Sequence, residues 1–142
     1  MGMFTAERVF IDCGNGDNQI KNLTCDYTEI NNKSGDINAM NIEANSVDLN
    51  FTSGNSVFTN FVSDSVIINN KRNNMQISGM IKGDSSIKTD SGDVNLTLYG
   101  EKSDYNFKVI DGDTTVNGKE ANSNKDGKYL FKLSGDINIE IK

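Results

Sequence analysis

The stretch Asn32–Ser56, NKSGDINAMNIEANSVDLNFTSGNS, contains Ser34-Gly35-Asp36 and, nineteen residues later, Ser53-Gly54-Asn55. Cutting the chain after each such glycine gives Asp17–Gly35, Asp36–Gly54, Asn55–Asn73 and Asn74–Gly92, four gapless blocks of nineteen. The next cuts fall after Gly112 and Gly135, giving blocks of twenty and twenty-three, and Asp136–Lys142 begins another. A fixed period of this size marks a repeat architecture.

The columns of this alignment behave as structural positions. The fourth is apolar throughout: Ile20, Ala39, Phe58, Ile77, Leu96, Val116 and Ile139. The seventh reads Leu23, Ile42, Phe61, Met80 and Tyr99. The fourteenth reads Ile30, Leu49, Ile68 and Ile87 and is expected to resume at about Phe107 and Leu130, if the extra residues of the longer blocks precede them. Polar clusters such as Asn31-Asn32-Lys33 interrupt any helical stripe, and β-branched residues, Asn and Gly abound. These features predict an all-β, single-stranded parallel β-solenoid of six to seven coils, stacked about 4.8 Å apart, with roughly three short strands per turn.

Ser-Gly-Asp-(Ile/Val)-Asn stands at Ser34–Asn38, Ser91–Asn95 and Ser134–Asn138, with looser versions at Gly16-Asp17, Ser53-Gly54 and Gly112-Asp113. Glycine allows positive φ or close coil-to-coil approach, and Asp or Asn bonds neighbouring backbone N–H groups. The residues Gly16, Asp17, Ser34, Gly35, Asp36, Ser53, Gly54, Ser91, Gly92, Asp93, Gly112, Asp113, Ser134, Gly135 and Asp136 are therefore assigned to a structural corner. Two asparagine columns, Asn22/Asn41/Asn60 and Asn31/Asn50/Asn69, are expected to stack as amide ladders.

At 142 residues the chain fits one domain, read as 1–142 with a disordered start at 1–4 and a polar loop at 118–128. A net charge of −6 opposes a phosphate-backbone partner, and the absence of histidine removes the usual neutral-pH base and the commonest transition-metal ligand. Cys13 and Cys25 fit no zinc or redox spacing and fall in offset columns, so both are expected to be free thiols. The sequons at Asn22, Asn32, Asn50 and Asn95 carry no weight in so asparagine-rich a chain. No apolar run approaches membrane-span length, and Met1–Phe10 lacks a signal-peptide core, so the chain as given reads as soluble, although a signal or anchor could have been removed from a longer protein.

The repeated corners, the opening RVFIDCGNGD at Arg8–Asp17 and IKTDSGDVNLTL at Ile87–Leu98 resemble the bacterial adhesin-like β-solenoid family, a domain of unknown function. The resemblance implies a non-enzymatic envelope or surface protein, often found behind an N-terminal membrane segment or beside envelope-stress genes. This chain departs at the third corner, where Arg72-Asn73 replaces Ser-Gly.

The leading expectation is a structural or binding module of the cell envelope, presenting a polar lateral face to a protein or glycan, with no cofactor. Open terminal coils also make edge-to-edge self-association an expectation. The alternatives are a polysaccharide-active enzyme using Asp93, Asp113 and Asp136, spaced by successive corners about 5 Å apart, and an intracellular scaffold or envelope-stress accessory. Calcium on Gly14-Asn15-Gly16-Asp17 is a third reading, weakened because that Gly-rich unit occurs once.

Overall fold

The computed structural model describes residues 4–121 and 126–142, and it is the β-solenoid that the period predicts, with about seven turns. Strands β1 (Phe4–Asn15), β2 (Asn18–Ser34) and β3 (Ile37–Ile81) wind the N-terminal part. Next come β4 (Ser85–Thr89), β5 (Val94–Leu98), a 3₁₀ turn at Lys102–Asp104, β6 (Tyr105–Asp111) and β7 (Thr114–Val116). The chain ends with β8 (Lys119–Glu120), β9 (Tyr129–Ser134) and β10 (Ile137–Ile141). Residues 1–3 of the expected start, and 122–125 of the expected polar loop, lie outside the described residues; Phe4 already belongs to β1.

Coil stacks on coil in register, with Ile20 opposite Ala39, Leu23 opposite Ile42 and Ile30 opposite Leu49. Ala39, Ile42, Leu49, Phe58, Phe61, Ile68 and Ile77 are buried in one core. The ladder bends without breaking at most early corners, so that β3 alone runs for 45 residues, rather than three short strands per turn. Further inward positions hold mixed residues, such as Asn32, Phe51, Asn70 and Thr89 at one of them, which hides them from a search for apolar columns.

Both asparagine ladders form. Asn41 Nδ2 donates to Asn22 Oδ1 at 2.9 Å and Asn60 Nδ2 to Asn41 Oδ1 at 3.0 Å; Asn50 and Asn69 continue the second ladder from Asn31 at 2.9 and 3.2 Å. Asn22, Asn41 and Asn60 have φ of 58°, 58° and 54°, a left-handed conformation that asparagine tolerates. This sharp corner lets the fourth and seventh columns both face inward. At the same position in the next coil stands Gly79, which does not share the positive φ, and from there the strand alternates without the corner. The seventh column therefore ends early: Leu98, opposite Gly79, is buried, whereas Tyr99 is 48% exposed.

The coils do not stack in chain order throughout. β9 pairs with β4 on one side and β6 on the other, and β10 lies between β5 and β7. The last stretch of chain is thus inserted beneath the preceding one, and Tyr105–Val116 forms the outermost layer. The fourteenth column resumes at Leu133, opposite Ile87, and ends at Val109, not at Leu130 and Phe107. Leu130 instead donates its backbone N–H to Asp84, and Phe107 stacks over Phe131 in the neighbouring column. Tyr105, Phe107, Tyr129 and Phe131 make an aromatic cluster with centroids 5.3–5.9 Å apart, and Tyr105 Oη donates to the Ile81 carbonyl at 3.2 Å.

Part of the expected polar loop is a strand: β8 returns antiparallel on β7, pairing Thr115 with Glu120 and Val116 with Lys119. Asn117 and Gly118 (φ 51° and 75°) supply the two left-handed residues of a tight hairpin.

The exchanged order places Phe131 between two layers although it stands eleven residues from the C-terminus. Phe131→Ala is expected to cost about 3–5 kcal/mol in chemical denaturation, as for a fully packed aromatic. A loss below about 1 kcal/mol, as for a fraying terminal coil, would contradict the exchange.

Candidate functional site

The predicted corner residues come together in one column running the length of the solenoid. Its spatial order follows the exchange: Asp17, Asp36, Asn55, Asn74, Asp93, Asp136, Asp113. Backbone bonds establish this, since Val94 N–H reaches the Asp136 carbonyl at 3.5 Å and Ile137 N–H the Asp113 carbonyl at 3.1 Å. Asp113 is consequently terminal, and Asp93 and Asp113 are not the neighbours that chain order implies.

The corners are held from outside, and several also from inside. On the outside, Asp17 Oδ1 accepts the Asp36 N–H at 3.0 Å, Asp36 Oδ1 the Asn55 N–H at 3.0 Å, and Asp136 Oδ1 the Asp113 N–H at 3.3 Å. On the inside, Asn32 Nδ2 donates to the Gly35 carbonyl at 3.0 Å and Thr89 Oγ1 to the Gly92 carbonyl at 2.7 Å. Ser34 Oγ donates to Asn15 Oδ1 at 2.8 Å and Ser53 Oγ to the Lys33 carbonyl at 3.1 Å. At the departing third corner the buried Asn73 takes over: its Nδ2 donates to the Ser53 carbonyl at 3.2 Å and its N–H to Asn70 Oδ1 at 3.1 Å.

Two shallow troughs follow this column along the strand that leaves it. The larger, about 510 Å³, is lined by Asp17, Gln19, Asp36, Asn38, Asn55 and Val57. The other, about 170 Å³, is lined by Asp93, Asn95, Asp136, Asn138, Asp113 and Thr115. Both offer carboxylates and amides at coil spacing, a surface of repeated hydrogen-bond donors and acceptors. Among the described residues no group of three or more His, Cys, Asp or Glu is arranged to hold a metal ion. Cys13 and Cys25 are free, and burial first, then the adjacent Asp12 and Asp26 respectively, pushes both thiols up from their ordinary pKa.

A second cluster, on a different face, gave no motif in the sequence. The Arg8 guanidinium lies over Tyr27, 5.1 Å from the ring centroid, and 5.9 Å from that of Phe10. Tyr27 Oη donates to Asp48 Oδ2 at 2.7 Å and lies 3.4 Å from Glu29 Oε2, and Asn31 Nδ2 donates to Glu29 Oε1 at 2.8 Å. The signal lay in the outward columns, where Arg8 precedes Tyr27 and Phe10 precedes Glu29 and Asp48 by whole periods.

Gly35 has φ 101°, and an added Cβ would overlap the Gly16 carbonyl; Gly118 has φ 75° but open space around it. Gly118→Ala should cost about 1–2 kcal/mol, the strain of the left-handed conformation alone. Gly35→Ala should cost clearly more, at least about 3 kcal/mol, because strain and steric overlap combine. Comparing the two denaturation midpoints checks this.

The phenol of Tyr27 is pushed up to about 12, first by its hydrogen bond to Asp48, then by burial and the neighbouring carboxylates. A phenol held neutral in the fold stabilises it fully below the unfolded value of about 10, and this contribution disappears as pH rises toward 12. Burial also pushes the Tyr105 phenol up, so ultraviolet titration should show more than one late-ionising tyrosine, of which the Tyr27 component alone moves to lower pH in Asp48→Asn; an unchanged titration curve would contradict the assignment.

No helix among the described residues is long and apolar enough to cross a membrane. No curated protein and no solved structure matches the chain. With the coils, the corner column and its troughs in place, the Toastrack DUF4097 family profile matches residues 2–142, and the chain belongs to that family, a domain of unknown function.

Proposed function

We propose that this domain is a non-enzymatic, adhesin-like binding module of the bacterial cell envelope, which holds a protein or glycan along the corner face. The observation that carries the reading is the pair of polar troughs beside the corner column, where Gln19, Asn38, Asn95 and Asn138 recur at one height per coil. Amides at that spacing suit the hydroxyls of an extended glycan or the backbone groups of an extended peptide. The corner carboxylates of Asp17, Asp36 and Asp136 already accept backbone amides of the next coil, which favours a structural over a catalytic use of them. The envelope location rests on the resemblance of the repeated corners to adhesin-like solenoids.

A screen of cell-wall glycans and envelope proteins on the immobilised domain tests this. Binding should fall about two- to tenfold for Asn38→Lys and for Asn138→Lys separately, and roughly multiply when they are combined, because the two stand several coils apart and many equivalent contacts share the energy. Failure of every ligand, or loss of all binding with one change, would overturn the distributed-face reading. Protection from protease in intact cells, with the domain in the cytoplasmic fraction, would overturn the envelope assignment.

A further inference from the structure

We propose that two copies of this chain join end to end through the free edge of β1, with the strands antiparallel and Phe10 on the two-fold axis. Among the described strands β1 pairs only with β2, so its opposite edge presents unpaired backbone groups over twelve residues that include no proline. Such an edge is a template for another strand. Val9, Ile11 and Cys13 pack against the core from one side only, and Phe10 is 64% exposed.

The sequence of the edge selects a second copy and one register. With Phe10 opposite Phe10 of the other copy, Val9 faces Ile11 and Arg8 faces Asp12, each twice by symmetry. The inward residues of the two copies meet as apolar pairs, joining the cores, and the outward charges pair oppositely. Shifting by one residue sets Val9 or Ile11 against an outward polar position, because a one-residue slip reverses the faces. Shifting by two sets Ile11 against Glu7, or Asp12 against Phe10. Arg8 is available for the pairing: it lies over two rings, and no carboxylate of the described residues forms an ion pair with it.

The other end of the solenoid disfavours a head-to-tail fibre. There β8 lies antiparallel across the edge of β7, where the coil of a following copy would have to stack. A two-fold contact at the β1 end closes on itself and needs only the open end.

Sedimentation of the whole chain over a concentration series should show a monomer–dimer equilibrium. Arg8→Asp and Asp12→Arg should each weaken the dimer by about tenfold or more, since each sets like charges opposite one another twice. The double exchange Arg8→Asp with Asp12→Arg should restore affinity to within about threefold. Independently of those variants, Phe10→Cys should give a covalent dimer on mild oxidation, because residues opposed across an antiparallel pair lie about 4.5–5.5 Å apart at Cα. A monomer at every concentration, polymers growing beyond the dimer, or a charge exchange that restores nothing would each overturn the proposal; so would absence of the Phe10→Cys cross-link in a folded protein.

Discussion

The fold depends on one condition, that each coil must lie on the next at the strand spacing that one backbone hydrogen bond spans, about 4.8 Å. Every column then has to be compatible with itself. Asparagine meets this condition because its amide can accept from one neighbour and donate to the other, as Asn41 does between Asn22 and Asn60. A carboxylate repeated at that spacing would repel its copies, and the corner relieves this by turning Asp17, Asp36 and Asp136 toward the next backbone N–H. It also interrupts the acidic run with Asn55 and Asn74. Glycine meets the condition where the coils come too close for any Cβ, as at Gly35 above Gly16.

The condition has no solution at the ends, where a coil lacks a neighbour. The C-terminal part of the chain answers with two devices. Inserting β9 and β10 beneath the Tyr105–Val116 layer leaves the final strands paired on both sides, and the exposed layer is tethered by chain at each of its ends. The β8 hairpin then covers part of that layer with an antiparallel strand, which a further parallel coil cannot extend. At the opposite end β1 keeps its edge and its half-buried apolar residues, so the two ends of one solenoid differ in what they can join.

Architecture was legible because stacking forces repetition into the sequence. Ser-Gly-Asp at three corners and an unbroken apolar fourth column suffice to set the period, and the two asparagine columns foretell the ladders. The seventh column misled at Met80 and Tyr99, because the amide corner that keeps that position inward is lost at Gly79, a substitution whose backbone consequence no column displays. The hairpin had a local signal, Asn117-Gly118, but the polar composition around it reads equally as loop. Coil order was illegible for a stricter reason: Ser134-Gly135-Asp136 satisfies the same corner rules whether it follows Gly112-Asp113 in space or precedes it. Columns record which residues can stack, not in what sequence they do so.

This indifference to order bears on what the lateral face can recognise. Asp93, Asp136 and Asp113 continue the corner column, and Asn95, Asn138 and Thr115 continue the strand beside it, so the surface runs on across the exchanged coils. Carboxylate and amide groups thus stand at steady height along the axis, with no boundary where the chain doubles back. On the proposed reading, the binding energy of a partner accrues by the coil, as solenoid stability itself does. The cluster of Arg8, Phe10 and Tyr27 is of another kind, because it combines a cation, two aromatic rings and two acceptors that no other coil repeats. On the proposed reading, repetition serves extended contact along the corner face, whereas this unrepeated cluster lies at the β1 edge that no described strand other than β2 pairs with.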